Sequence, residues 1–179
     1  MEFITNFSSP EVEAYVNGGS GDEITLRENL ASIANLRIIP RVLRNIETID
    51  TSVKDSISVD RSPIVIAPTA FHQLATDQAE VAPAIAASNT KTPYIVSCYS
   101  SIDIQKLIHN VDRSIYWQQL YIFDDRKITE KILDYAECFN AKAIVVTVGA
   151  AVSGNRIRER AVGWKSLKNI FILLIMLVT

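Results

Sequence analysis

The stretch SIYWQQLYIF (114–123) is dominated by aromatic and apolar residues, with two glutamines at its centre. Three further apolar runs accompany it: SPIVIAPTA (62–70), TPYIVS (92–97) and AKAIVVTVGA (141–150). Runs of this length and composition predict strands that are buried on both faces, as in a parallel sheet. Their centres lie roughly 23–30 residues apart, the size of one βα unit. The chain therefore reads as successive strand–helix units.

Helical patterns fill the intervals between the four runs, because apolar residues recur there at helical spacing. The predicted helices cover 76–89 with Thr76 or Asp77 as cap, 101–110 with Ser101 as cap, and 124–140. Strands that alternate with helices in this way indicate an α/β fold in which helices cover a parallel sheet.

The two flanks differ from this rhythm. Before residue 62, the segments 9–17 and 21–36 predict two short helices around the turn GGSG (18–21), followed by extended chain. The stretch after residue 150 is polar and basic and ends in the apolar run Ile170–Val178. Nine residues are too few for a membrane span of about 20, so a strand-like or adventitious terminus is favoured over a membrane segment. The predicted division is 1–61, 62–160 and an atypical apolar tail at 161–179.

Composition excludes several classes of protein. The 179 residues are 48% hydrophobic, and 18 basic against 20 acidic residues give a net charge of −2, so we expect one folded domain that binds no nucleic acid. Cys98 and Cys138 are too few for a disulfide framework or a four-thiolate zinc site. His72 and His109 lack partners at metal-ligand spacing, so no metal site is predicted. With no secretory signal at the N-terminus, a reduced cytoplasmic location is the expectation.

Polar residues cluster at the carboxyl ends of all four predicted strands. These positions are Pro68, Thr69 and Ala70, then Ser97, then Gln119 with Tyr121, then Thr147. Ligands of parallel α/β proteins bind at this edge, and neutral groups can hydrogen-bond a planar heterocycle there. Any single Ser or Thr could instead cap the next helix. Four successive strands that end alike favour a binding site.

The chain resembles the N-terminal half of the FMN-dependent α-hydroxy-acid oxidase and dehydrogenase family, and within it the L-lactate oxidase branch. The resembling segments are AYVNGGSGDEITLREN (14–29), SPIVIAPTAFHQLA (62–75), VSCYSS (96–101), WQQLYIFDDR (117–126) and IVVTVGAAVSGNR (144–156). The resemblance implies a (β/α)8 TIM-type barrel. About the first four strand units are present, as a half-barrel with an N-terminal helical extension.

The resemblance also implies roles for individual residues. Pro68, Thr69 and Ala70 would run along the flavin of FMN, and Ser97, Gln119 and Thr147 would hydrogen-bond its ring. Tyr15, Tyr121 and Arg156 would bind the substrate. The implied reaction oxidises a small L-2-hydroxy acid, L-lactate to pyruvate, with oxygen as acceptor, and full-length members are expected to be homo-oligomers.

Two departures from the family pattern stand out. Gly149 occupies the position where the family has an Asp. The His-Gly-Gly-Arg type motif that carries the family's catalytic histidine is absent, and neither His72 nor His109 replaces it by motif. Because a full barrel takes about 250 residues, we expect a truncated oxidase that does not turn over alone. The alternative is a non-catalytic half-barrel that associates with itself, or with a separate C-terminal half, through unpaired sheet edges.

Overall fold

The computed structural model describes residues 9–53, 63–109, 112–149 and 152–163. The described residues of 1–42 and 152–179 form one compact unit, and those of 43–151 form a second. The sequence-based division into 1–61, 62–160 and 161–179 stays a prediction. The apolar end of its tail lies outside the described residues.

The described residues contain six α-helices and one sheet of three strands. The helices are α1 (Pro10–Asn17), α2 (Ile24–Ala34), α3 (Val81–Thr90), α4 (Ile104–Ile108), α5 (Arg126–Cys138) and α6 (Ile157–Ala161), and the strands are β1 (Tyr94–Val96), β2 (Tyr116–Leu120) and β3 (Ile144–Val146). Short 3-10 helices cover His72–Leu74 and Arg113–Ile115. None of the described helices is both long enough and apolar enough to cross a bilayer.

The sheet is parallel, and its strands follow one another in chain order. β1 pairs with β2 in the register Ile95↔Trp117, and β2 pairs with β3 in the register Gln119↔Val145. An isolated parallel bridge, Ile66↔Tyr94, adds a fourth extended segment beside β1. This segment and the strands β1, β2 and β3 are called the four staves below. Sequential order is the arrangement of a barrel, since a doubly wound sheet reverses its order. The predicted α/β fold with the first staves of a barrel is confirmed.

The first predicted strand, 62–70, is much shorter than expected. Only Ile66 joins the ladder: its N–H donates to the carbonyl of Pro93 and its carbonyl accepts from the N–H of Ile95. Pro63 and Pro68 lie on either side of it, and a proline has no N–H to continue a ladder. The prediction of a full strand here was wrong, although its place in the order was right.

Two predicted helix starts were also wrong. α3 begins at Val81 rather than near Thr76, so that Pro83 falls in the first turn, where a missing N–H costs no hydrogen bond. α4 is capped by Asp103, whose carboxylate accepts from the N–H of Gln105, rather than by Ser101. The Ser101 hydroxyl instead accepts from the N–H of Gln73.

The core of the second unit lies between the sheet and the helices α3 and α4. Its buried members are Ala84, Ala87, Tyr94, Val96, Leu107, Ile108, Ile115 and Tyr116. Both β1 and β2 are almost completely buried, as a central parallel strand should be. By contrast, Ile144 and Val146 of β3 are exposed, since no described strand pairs with its outer edge.

In the first unit, a helix cap and the contacts of Glu23 stabilise α1 and the loop that follows it. Ser9 caps α1 through its hydroxyl, which accepts from the N–H of Val12. The carboxylate of Glu23 accepts from the N–H of Gly19 (3.0 Å) and pairs with Arg158 (2.5 Å). The predicted turn at 18–21 is confirmed, with Gly21 at φ +54°, where glycine carries no steric penalty.

Candidate functional site

A cavity of about 240 Å³ opens at the carboxyl ends of the parallel staves in the second unit. Its lining residues are Pro68, Ala70, Ser97, Tyr99, Gln119, Tyr121 and Thr147. Every stave of the sheet contributes at least one of them. The lining combines neutral hydrogen-bonding groups with apolar and aromatic surface, and none of its described residues is charged.

Six of the seven lining residues come in pairs two positions apart, and Thr147 is the seventh. The pairs are Pro68 with Ala70, Ser97 with Tyr99, and Gln119 with Tyr121. In extended chain, residues i and i+2 point to the same face. Thr69 lies between the first pair and is exposed, so it does not line the cavity.

Gln119 connects three staves at the floor of the cavity. It is 2% exposed. Its Oε1 accepts from the backbone N–H of Cys98 (2.9 Å), and its Nε2 donates to Oγ1 of Thr147 (3.0 Å). These bonds tie the chain that follows β1 and the chain that follows β3 to the central strand. The side-chain amide therefore fixes the spacing of the staves where the cavity opens.

Ser97 and Thr147 serve the cavity edge rather than the helices that follow. Ser97 Oγ accepts from the N–H of Tyr99 (3.1 Å) and starts a turn. The helix after Ser97, α4, is capped by Asp103. The first described helix after Thr147, α6, has Arg156 at its N-cap and no side-chain cap hydrogen bond. The helix-capping alternative thus does not account for these strand-end polar residues.

Two of the lining residues, Tyr99 and Tyr121, belong to a cluster of four aromatic rings, and Tyr99 is at its centre. Its ring centroid lies 5.9 Å from that of Phe71, 5.4 Å from that of Tyr121 and 6.1 Å from that of Phe123. Burial, and secondarily Cys98 and Tyr121, raises the pKa of the Tyr99 phenol, so the phenol stays protonated at neutral pH. Sequence reasoning missed Tyr99, although its position two residues after Ser97 predicts the same face.

Tyr15 and Arg156 belong to the first unit and contact each other there. An Arg156 N–H donates to the backbone carbonyl of Tyr15, and the guanidinium carbon lies 5.5 Å from the Tyr15 ring centroid. The same guanidinium pairs with Glu159. The charge of Arg156 is therefore already matched by a carboxylate within its own unit.

The remaining polar candidates offer no nucleophile or metal site. Burial raises the pKa of the Cys98 thiol to about 11, which keeps it protonated and unreactive near neutral pH. His72 lies in the 3-10 helix His72–Leu74, and His109 follows α4; neither lines the cavity. No cluster of three metal-ligating side chains exists among the described residues. Gly149 is exposed, with open space around its Cα.

Comparison with known proteins identifies the family. A family model of FMN-dependent dehydrogenases matches residues 6–176. The chain belongs to the FMN-dependent dehydrogenase family. This confirms the resemblance drawn from the sequence.

Similar proteins match only in part. The chain is 35% identical to 2-hydroxyacid oxidase 2 of Mus musculus over 79% of its length, which is 40% of the mouse protein. It is 37% identical to L-lactate oxidase of Streptococcus iniae, again over 79% of this chain and over 35% of that protein. A mandelate oxidase solved with an FMN adduct superposes with a TM-score of 0.79 at 29% identity, covering 88% of this chain and 47% of that one. The chain thus spans about two fifths of the curated relatives it matches.

Because the family is FMN-dependent, the cavity can be compared with the shape and chemistry of the flavin ring. A flavin ring is flat, largely apolar on its faces and rich in hydrogen-bonding atoms at its edge. The cavity offers matching chemistry, because its lining combines the apolar Pro68 and Ala70 with neutral donors and acceptors from Ser97, Gln119 and Thr147. Its volume is slightly below the roughly 300 Å³ where ligand pockets begin. It suits the ring of an FMN-dependent dehydrogenase rather than the whole nucleotide.

Proposed function

We propose that this chain holds the ring of FMN in the strand-end cavity and represents an oxidase of small L-2-hydroxy acids, with L-lactate as substrate and oxygen as acceptor. The observation that carries the proposal is the row of neutral hydrogen-bonding side chains at successive strand ends. When bound, FMN would supply the redox chemistry by accepting a hydride equivalent from the hydroxy acid. The protein supplies position and hydrogen bonds.

Each lining residue has a defined part in this proposal. Pro68 and Ala70 pack against the ring face, with Thr69 contributing backbone atoms between them. Ser97, Gln119 and Thr147 present hydroxyl and amide groups to the ring edge, where Gln119 already holds two neighbouring staves in place. The Tyr121 side chain lines the cavity beside Tyr99, and in this proposal its phenol contacts the hydroxy acid. A phenol can donate to a carboxylate while its ring packs on an apolar tail.

Tyr15 and Arg156 are proposed as substrate-binding residues on the strength of the sequence resemblance. Within their unit, Arg156 holds the Tyr15 backbone and stacks beside its ring. We infer that Arg156 sets the orientation of Tyr15, and that Glu159 offsets the charge that Arg156 would otherwise bring to an anion.

The chain by itself is expected to bind FMN without turning over L-lactate. The oxidation requires a base within hydrogen-bond reach of the substrate, and neither His72 nor His109 lines the cavity. The purified chain is mixed with equimolar FMN and excess L-lactate in air, and pyruvate and peroxide are assayed. Formation of both should not exceed that of free FMN.

A full-length L-lactate oxidase in the same assay verifies that the conditions support turnover. Sustained pyruvate formation that depends on the chain would contradict the predicted inactivity. Quenching of flavin fluorescence by the chain supports the binding part of the proposal independently of turnover.

The second candidate is a non-catalytic half-barrel that associates with itself or with a separate C-terminal half. The open edge of β3 supports it, since Ile144 and Val146 are exposed there and unpaired edges recruit other strands. Apolar residues such as Leu43, Ile46 and Ile49 are exposed in the same unit. Large exposed apolar patches mark interaction surfaces on soluble proteins.

Size-exclusion chromatography with light scattering tests this association. We expect the chain to elute at two or more copies. Replacing Val146 with lysine, which charges the open edge, should shift it towards one copy. The matched control is Val148→Lys, a position beyond the end of β3. A monodisperse monomer of the unaltered chain would contradict self-association.

A further inference from the structure

Glu80, at the start of α3, carries a fully buried carboxyl group that has no part in the proposed function described above. It is 0% exposed. It occupies the N-cap position, but its side chain makes no hydrogen bond to α3. Instead, Oε1 accepts from the backbone N–H of Ser101 (2.7 Å) and from that of His72 (3.4 Å). A buried carboxyl is tolerated only where hydrogen bonds offset its desolvation.

The two N–H groups belong to loops that follow adjacent staves. One loop continues from Pro68 and Ala70, and the other continues from Ser97 and Tyr99, all of which line the cavity. Oε1 of Glu80 thus accepts from both loops at one point. Glu80 itself does not line the cavity.

Further contacts join the same two loops around this point. The N–H of Phe71 donates to the carbonyl of Tyr99 (3.1 Å), and the N–H of Gln73 donates to Oγ of Ser101 (3.1 Å). The rings of Phe71 and Tyr99 stack at an interplanar angle of 16°. Among these groups, the Glu80 carboxyl is a fully buried side chain that accepts from the backbone N–H groups of both loops.

Glu80 is poorly explained as a stabilising residue. Its Oε2 is buried and has no partner among the described residues, and the same holds for Nε2 of His72. Its charge also contributes, after burial, to raising the pKa of the neighbouring Tyr94 phenol. A half-satisfied buried carboxyl costs stability that an apolar residue would not. The role of Glu80 is therefore better explained by the spacing of the two loops that its hydrogen bonds fix.

We propose that Glu80 is a positioning residue, whose carboxyl fixes the two loops at the spacing that forms the wall of the flavin cavity. This inference rests on the proposed FMN binding. It predicts that the acceptor oxygen matters rather than the charge, because both bonds run to backbone N–H groups.

The test compares Glu80→Met, which keeps the length but removes the acceptor, with Glu80→Gln, which keeps an acceptor oxygen. Glu130→Met, on the exposed face of α5, is the matched control. FMN affinity is measured by fluorescence quenching, and amide hydrogen exchange is followed at His72 and Ser101. Glu80→Met should weaken FMN binding by at least about tenfold and speed exchange of the Ser101 amide by about 100-fold. Glu80→Gln should stay within about threefold of the unaltered chain in both, and Glu130→Met should change neither.

Unchanged FMN affinity and unchanged exchange in Glu80→Met would overturn the inference, and so would a Glu80→Gln variant as impaired as Glu80→Met. If the unaltered chain binds no FMN, the proposed function fails, and hydrogen exchange alone then decides whether Glu80 fixes the loops.

If Glu80→Met does not fold, hydrogen exchange in the unaltered chain tests the inference. The Ser101 amide should exchange at least about 100-fold more slowly than that of Ser52, whose N–H donates to the carboxylate of the exposed Asp50. Equal rates would overturn the inference.

Discussion

Replacing Gln119 with leucine is expected to weaken FMN binding by at least about tenfold, the effect of losing one or two well-formed hydrogen bonds. The variant keeps the size of the side chain but removes the acceptor for Cys98 N–H and the donor to Thr147 Oγ1. Two staves are then free to shift where the ring edge would lie. The proposed contact of the amide with the ring is lost as well. Fluorescence titration with FMN measures the change.

Gln118→Leu is the control that separates this local effect from general destabilisation. Gln118 is the neighbouring residue and is also buried, but it does not line the cavity. Its amide bonds to the Tyr116 hydroxyl (2.5 Å) and to the carbonyls of Val96 and Gln119. Gln118→Leu should lower the free energy of unfolding yet leave FMN affinity of the folded chain nearly unchanged. Equal losses of FMN affinity in both variants would contradict the proposal that Gln119 in particular shapes the FMN cavity.

Replacing Leu107 with alanine is expected to lower the free energy of unfolding by about 2–5 kcal/mol, the usual range for a buried leucine. Leu107 is 1% exposed and belongs to the core between the sheet and the helices. α4 has only five residues, so its packing depends on few side chains. Domains are stable by about 5–15 kcal/mol in all. The expected loss is therefore a large fraction of the stability of an ordinary domain.

Urea unfolding followed by far-UV circular dichroism measures this loss. Leu133→Ala on α5 is the matched control, because Leu133 is 38% exposed. Its loss should stay below about 1 kcal/mol, as for a partly exposed position. A loss for Leu107→Ala as small as that of Leu133→Ala would contradict the described core.

The strand rhythm was predictable because a strand covered on both faces needs a continuous apolar run, whatever its neighbours. Ladder length was not predictable, because it depends on which N–H groups find partners. Ile66 alone pairs where prolines lie close by. The predicted starts of helices were wrong for a similar reason, because contacts distant in sequence decide which residue caps a helix. Asp103 and Ser101 are both good caps in isolation, and the contact between Ser101 and Gln73, distant in sequence, decided between them.

The candidate site was predictable where strand ends bring residues together and was not where side-chain pairing decides. Ser97, Gln119, Tyr121 and Thr147 meet because parallel staves share one edge. Glu80 gave no signal, since nothing in its local sequence indicates that a carboxyl at a helix start turns away from that helix.

The central claim, that neutral side chains at the strand ends contact the flavin ring, is tested most directly by nuclear magnetic resonance of the glutamine side-chain amides during FMN addition. Gln105, exposed on α4, is the internal reference. The account predicts that the NH₂ signals of Gln119 and the backbone N–H signal of Cys98 shift as FMN is added, while the NH₂ signals of Gln105 stay in place. FMN that binds without moving the Gln119 signals would contradict the account.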